Sequence, residues 1–271
     1  MTIERSNKLS LDLSDKTALI TGGLGGIGFG IAADMATCGA QLIIHDLLQA
    51  EMAAQKLESL RKLGAKNVHY YAANLANPSE ISDMFNKIQN AGMYVDILIN
   101  NAGVQCVSCI EEFPDDKFEQ IIRVDLLSSF YTIKQTIAHM KQQKWGRIVN
   151  VASAHGLVAS PYKSAYVAAK HGLIGMTKSV ALECAEHGVS VNAICPGYVK
   201  TDLVVKQIAD TAKCRNCSET QVMDEIILGS HANKRFIEVS EIAQLVLFLV
   251  SEGAMSITGS AITIDGGWTA R

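Results

Sequence analysis

Residues 152–172 read ASAHGLVASPYKSAYVAAKHG. This stretch sets Ser153, His155, Lys163, Tyr166 and Lys170 among Ala, Gly and Val, which is not the composition of a solvated face. Tyr166 and Lys170 are four residues apart and share one face of a helix. A free phenol has a pKa of about 10 and is a poor base at neutral pH. A nearby ammonium favours the phenolate. Bringing the phenol near pH 7 takes about 4 kcal/mol of differential stabilisation, which two close positive charges can supply. Tyr166 could then accept an alcohol proton, and in reverse return it to an alkoxide. Ser153 ends the apolar run RIVNVAS, where its hydroxyl can hold the same oxygen. Alone, a Tyr/Lys pair at this spacing is an ordinary surface helix pair, so its meaning depends on the elements that place it.

Those elements alternate. Short β-rich runs fall at 16–21, 40–45, 67–72, 95–100, 146–152, 189–195 and 260–265. Several are nearly continuous apolar segments, the pattern of strands buried on both faces. Helical patterns lie between them at 26–38, 48–63, 78–92, 115–143, 162–187 and 238–251. This alternation predicts an α/β fold of one domain over residues 1–271. The expected architecture is a Rossmann-type, doubly wound, parallel seven-stranded sheet with helices on both faces. Residues 200–236 break the rhythm after a strand end, and we expect there a small inserted substrate lid.

The bulk composition excludes several classes. The chain has 271 residues and a net charge of −3, with no basic stripe, so nucleic acid is not an expected partner. The start, MTIERSNKLSLDLSDK, is polar and of mixed charge, unlike a signal or transit peptide. The longest apolar runs fall far short of the ~20 residues a membrane span needs. These features predict a soluble cytoplasmic protein. The seven cysteines are expected to be reduced. The pairs Cys106/Cys109 and Cys214/Cys217 stand about a hundred residues apart, too far for a zinc ribbon, so no metal is expected.

The run ALITGGLGGIGFGIAADMA passes from strand to helix and carries TGxxxGxG at Gly22, Gly26 and Gly28. Glycines let backbone approach a pyrophosphate, and the helix N-terminus offers free N–H groups and a positive dipole end. Asp46 ends the next strand, 20 residues after Gly26. A carboxylate there accepts from an adenosine ribose and repels a 2′-phosphate. No Arg or Lys occupies 23–25 or follows Asp46 directly. NAD is therefore expected over NADP, and its oxidised nicotinamide would be the second positive charge near Tyr166.

With NNAG at 100–103 and PG at 196–197, these motifs complete a set. The sequence resembles the classical short-chain dehydrogenase/reductases over essentially its whole length. The resemblance implies a Ser153/Tyr166/Lys170 catalytic triad, with Lys170 also holding the nicotinamide ribose. It implies that Gly22, Gly26, Ile27, Gly28 and Asp46 bind the dinucleotide. Asn74 and Leu75 would lie at the adenine, with Asn74 where the family more often has Asp. Asn101, Ala102 and Gly103 would flank the adenosine side. Pro196, Gly197 and Val199 would lie at the nicotinamide and Thr201 at the diphosphate. Within the family, ASAHGLVAS, KSAYVAAKHG, NAICPG and DGGWTAR are similar to the bacterial branch that interconverts D-3-hydroxybutyrate and acetoacetate. That likeness implies that Gln105, His155, Lys163 and Gln207 bind the substrate carboxylate, and Ser153 and Tyr166 its C3 oxygen. A homotetramer is the family expectation.

The residues agree with a small anionic substrate. Lys163 is three positions before Tyr166 and can reach the same mouth. The chemistry also leaves open a sugar acid or a 3-oxoacyl thioester. One position departs from the family: IIRVDLLSSF places Asp125 where the family has a fourth catalytic residue, an Asn that helps a water connect the lysine to solvent. A carboxylate near Lys170 would hold its charge and weaken its pull on the Tyr166 proton. The expectation is that catalysis survives with an altered pH optimum; a cofactor-binding scaffold with little turnover is the contrary reading.

Overall fold

The structure, a computed structural model, describes residues 11–270. The first ten residues of the N-terminal segment and Arg271 lie outside the described residues. Seven strands form one sheet: β1 (Thr17–Thr21), β2 (Gln41–Asp46), β3 (Asn67–Ala72), β4 (Ile97–Asn100), β5 (Gly146–Val151), β6 (Val189–Pro196) and β7 (Ala261–Ile264). Their order is β3-β2-β1-β4-β5-β6-β7, and every neighbouring pair is parallel. The principal helices are α1 (Gly26–Thr37), α2 (Ala50–Lys62), α3 (Pro78–Asn90), α4 (Asp115–Ile122), α5 (Ser128–Gln143), α6 (Ser164–Cys184), α7 (Asp202–Arg215) and α8 (Val239–Val250). The expected seven strands and doubly wound sheet are observed, with strand ends within two residues of those expected.

The central strands β4, β5 and β6 are buried at every position, which is why they read as unbroken apolar runs. Successive residues point to opposite faces. Ile20, Ile44, Ile99 and Val149 join one core with Ile31 and Met35 of α1, Leu57 and Leu60 of α2, and Val246 of α8. Leu19, Ile43, Leu98 and Ile148 face the other way, onto Phe85 and Ile88 of α3, Ile133 and Met140 of α5, and Ala181 of α6. The chain crosses from one half of the sheet to the other between β1 and β4, where a ligand crevice opens at the carboxyl ends of the strands.

Two regions differ from expectation. The helix predicted over 115–143 is interrupted by a π-helical turn, Arg123–Leu127, between α4 and α5. Such a turn releases backbone groups from the regular ladder, and such turns are frequent at functional sites. Residues 200–236 are largely helical. They contain α7 and a second helical stretch, 219–230, around a separate apolar cluster with Ala212, Val222 and Ile227. The segment leaves and returns at one point, where Val199 bridges Ile237 and Ile237 N–H donates to Tyr198 C=O at 3.0 Å.

Candidate active site

A cleft of about 560 Å³ lies at the β1/β4 switch point. Its floor is the turn from β1 into α1. Gly22 holds φ +63°, and a Cβ on Gly28 would stand 2.2 Å from Gly22 O, so the turn closes only with glycine there. Gly22, Gly26 and Ile27 border the cleft, whereas Gly28 serves this close packing and is not among the bordering residues. No side chain caps the α1 N-terminus, so its first-turn N–H groups remain available to an anion. Asp46 borders the cleft and accepts from Leu24 N–H at 3.2 Å and Leu47 N–H at 2.8 Å. Its carboxylate both holds the loop and faces the site. Lys56 of α2 also reaches this corner, where its ammonium donates to Leu24 C=O. Buried His45 donates from Nε2 to Ala73 C=O at 2.9 Å, leaving Nδ1 to accept from Gly22 N–H at 3.4 Å. Burial pushes this imidazole down, keeping it neutral as that pattern requires. These uncapped donors, the glycine floor and Asp46 fit a dinucleotide.

Asn74, Leu75, Asn101, Ala102 and Gly103 form one wall, and Pro196, Gly197, Val199 and Thr201 the opposite one. Asn101 ties β4 to β1 through its Nδ2, which donates to Thr21 O at 2.9 Å and Gly22 O at 3.1 Å. Behind it runs a buried polar chain. Thr132 Oγ1 donates to Asn100 Oδ1 at 2.7 Å, Asn100 Nδ2 to Asn150 Oδ1 at 2.9 Å, and Asn150 Nδ2 to Thr177 Oγ1 at 2.9 Å. This chain links α5, β4, β5 and α6, and so fixes the helix that carries Tyr166 against the strand that ends at Ser153.

Ser153, Tyr166, Lys170 and Asp125 all border the cleft. The Lys170 ammonium lies 5.4 Å from the Tyr166 ring, donates to Val151 C=O at 3.0 Å and stands 3.4 Å from Asp125 Oδ2. Asp125 sits in the π turn, 1% exposed, with Oδ1 accepting from Val104 N–H at 2.8 Å. Burial pushes the Asp125 carboxyl up, against the pull of Lys170 and the Val104 amide. For Lys170, burial alone would favour the free amine; the Asp125 carboxylate overrides it and holds the ammonium above its ordinary range. Burial also pushes the Tyr166 phenol up; Lys170 and Ser153 pull it down, and Asp125 adds to the rise. Lys170 by itself therefore does not bring the phenol toward neutrality.

Beyond Tyr166 lies a cluster of buried aromatic and polar side chains. His155, 4% exposed, is edge-on to Trp268 at 4.8 Å, Tyr198 at 6.0 Å and Tyr166 at 6.1 Å. Tyr198 stacks on Trp268 at 5.2 Å. Lys163, 5% exposed, places its ammonium 5.3 Å from the Tyr198 ring. Burial, then the charge of Arg215, pulls Lys163 down to about 8. Burial, then Lys163, pulls His155 down to about 3, so its imidazole is neutral at pH 7. His155 Nε2 and Gln105 Oε1 are buried without hydrogen-bond partners. Gln207 is half-buried on α7, outside the residues bordering the main cleft.

Sequence reasoning did not reach Tyr198, Trp268, Arg215 or His231. His231 is fully buried and accepts from Tyr198 N–H at 2.9 Å through Nε2. A Cβ on Gly197 would stand 2.4 Å from that nitrogen, so the PG motif admits the imidazole only as glycine. The seven cysteines are free thiols. The two CxxC pairs nevertheless meet, since the thiol of Cys109 lies against that of Cys214. Among the described residues no group of three or more His, Cys, Asp or Glu could hold a metal, and no helix is long and apolar enough to cross a membrane.

The geometry has relatives. A family model described as short chain dehydrogenase matches residues 16–212. A D-beta-hydroxybutyrate dehydrogenase of Rhizobium meliloti is 49% identical over 94% of this chain and 99% of its own length. A 3-oxoacyl-(acyl-carrier-protein) reductase of Rickettsia felis is 34% identical over 95% and 98%. Among solved structures, a protein of Agrobacterium tumefaciens provisionally named a gluconate dehydrogenase superposes with a TM-score of 0.87 at 28% identity, over 97% of this chain and all of that one. A second, provisionally named a 2-deoxy-D-gluconate 3-dehydrogenase, was solved with bound NADP and gives a TM-score of 0.83 at 30% identity. The Rossmann sheet, the glycine turn and the Ser153/Tyr166/Lys170 grouping thus have one common source: the chain belongs to the short-chain dehydrogenase family, oxidoreductases that work with a nicotinamide cofactor.

Proposed function

We propose that the chain interconverts D-3-hydroxybutyrate and acetoacetate with NAD. The observation that carries this reading is Lys163. The residue is 5% exposed, and its ammonium, among the described residues, has no carboxylate within ion-pair distance. Burying an uncompensated charge is costly, so we read this cluster as a substrate chamber that an anion completes. Lys163, the unpartnered His155 Nε2 carrying its proton, the Gln105 side chain through its amide N–H, and Gln207 on α7 would take the carboxylate. Tyr198 and Trp268 would cover the short apolar end. With the segment 200–236 hinged at one point, α7 would act as a lid over this chamber.

The bound nicotinamide supplies the hydride acceptor and, when oxidised, a positive charge near the phenol. Ser153 holds the C3 oxygen of the hydroxy acid. As hydride leaves C3, Tyr166 takes the hydroxyl proton; in reduction it returns that proton to the forming alkoxide. Lys170 stabilises the phenolate, held in place and in charge by Val151 C=O and Asp125. Asp125 is thus a positioning residue that also tempers Lys170. The Asp46 carboxylate supports NAD over NADP, because it would accept from the ribose and repel a phosphate there. Lys56, the cation at that corner, is engaged by Leu24 C=O.

The exposure of Phe130 (45%) and Leu182 (82%) suits burial in a homotetramer, which light scattering would test. We further take the enzyme to be cytoplasmic. The functional test measures NADH formation with D-3-hydroxybutyrate, its L enantiomer, gluconate and a 3-hydroxyacyl thioester, each with NAD and NADP. The expected result is turnover of the D acid with NAD. Absence of a rate with the D acid beside turnover of gluconate or the thioester would replace this substrate.

A further inference from the structure

Near Lys163 stands a second cation that the reading above leaves unused. Arg215 is the last residue of α7, and its guanidinium stands 5.8 Å from the ring of Tyr162, the residue before Lys163. Tyr162 is held in place: its φ is +69°, and its C=O accepts from Ser108 N–H at 3.0 Å. Three chain segments therefore converge: the loop through Gln105 and Ser108, the start of α6, and the end of α7. Each contributes polar groups. Arg215 Nε is buried and donates to nothing, as Gln105 Oε1 and His155 Nε2 lack partners in the same region. Among the described residues neither Lys163 nor Arg215 has a carboxylate within ion-pair distance. Two like charges brought together in a half-buried place repel one another, and a ligand carboxylate offset against both removes that cost.

We propose that Arg215 is a specificity-determining residue of the substrate chamber, forming with Lys163 a two-cation clamp that selects short hydroxy and oxo acids as carboxylates over their uncharged congeners. The clamp rests on the chamber being the substrate site. Its place on α7 couples the anion to that helix, because the carboxylate recruits a group from each side of the mouth. It also predicts a pH signature. The groups facing Lys163 are Arg215 from α7, His155 from the turn after β5, Tyr198 after β6 and Tyr166 on its own helix. His155 is neutral above about pH 3 and Tyr198 below about pH 12. The buried Tyr166 phenol is pushed above its ordinary range. Near pH 8 Arg215 is therefore the charged neighbour, and its removal lets Lys163 keep its proton to higher pH.

The test titrates wild type, Arg215→Ala and Arg215→Lys with acetoacetate and with its methyl ester, at saturating NAD, following the fluorescence of Trp268 over the constant background of Trp145. Because acetoacetate does not react with NAD, the readout is binding alone. Arg215→Ala should weaken acetoacetate binding by about tenfold or more and the ester by less than about twofold, with Arg215→Lys recovering most of the loss. Acetoacetate binding should fall off near pH 8 in wild type and at higher pH in Arg215→Ala. Equal losses for acid and ester, unchanged acid binding, or an unmoved pH midpoint would overturn the clamp. A wild type that binds acetoacetate yet does not oxidise D-3-hydroxybutyrate would sink the functional reading alone, and one that binds neither probe would overturn both.

Discussion

Replacing Asp125 by Asn removes one buried negative charge and little else. The amide oxygen can still accept from Val104 N–H, as Asp125 Oδ1 does at 2.8 Å. Asp125 stands 3.4 Å from the Lys170 ammonium, which lies 5.4 Å from the Tyr166 ring. These contacts put the carboxylate at most about 9 Å from the centre of the Tyr166 ring. At an effective dielectric of about 20, a unit charge at that outer limit is worth about 1.8 kcal/mol, a little over one pH unit. The carboxylate raises the phenol, so its loss lowers the Tyr166 pKa. The oxidation direction needs the phenolate. The acid limb of its kcat/KM profile should therefore move to lower pH by about one unit in Asp125→Asn. Because the groups are buried, added salt should screen the shift only weakly. Stability should change separately, since Lys170 loses its partner and a broken buried pair costs about 3–5 kcal/mol. A thermal melt measures that cost independently of the rate profile. Coincident acid limbs, or a limb displaced toward alkaline pH, would refute the electrostatic role argued for Asp125.

Asp46→Ala should raise the kcat/KM ratio of NADP over NAD by about 10- to 100-fold, as a charge-assisted ribose contact and a repulsion are lost together; steady-state kinetics with both cofactors checks this. Asn150→Ala should lower stability by about 1–3 kcal/mol, because Asn100 Nδ2 and Thr177 Oγ1 lose a buried partner; denaturant melts with an unchanged m-value would establish it. A short bismaleimide should bridge Cys109 and Cys214, which lie against each other. If α7 moves during turnover the bridge stops it, and full activity of the cross-linked protein would mean the lid need not open.

The strands and the proton-transfer group were legible because each rests on local spacing. Unbroken apolar runs mark strands buried on both faces, and a four-residue interval puts Tyr166 and Lys170 together. Distance along the chain hid the rest. Tyr198, Trp268, Arg215 and His231 are single residues on separate segments, and only tertiary closure stacks two of them and brings the others beside them. The cysteine motifs were read each within its own spacing, whereas their contact runs from one motif to the other. Residues 200–236 did carry a signal, since Val204, Ile208 and Ala212 recur every fourth position, as a helix burying one stripe requires. The polar residues between them masked it. For Tyr166, counting nearby cations left out burial, the largest influence on the phenol.

Charge compensation separates the two lysines by job. Lys170 is buried with a fixed partner at 3.4 Å and a carbonyl at 3.0 Å, so its charge is set before any ligand arrives. That is what a proton-transfer group needs, because a phenol tuned by a neighbour that itself titrates would drift with pH. Lys163 is as deeply buried but, among the described residues, lacks a carboxylate, and burial, then the charge of Arg215, draws it down to about 8. A cation left in that condition gains most from an anion that comes and goes. The carboxylate at Asp125 belongs to the same logic. It sacrifices some of the pull that Lys170 exerts on Tyr166 and in return keeps that lysine charged at full burial. Substrate binding at Lys163 should then weaken as pH rises through about 8 while Lys170 remains charged, so the alkaline limit should first appear in KM rather than in kcat.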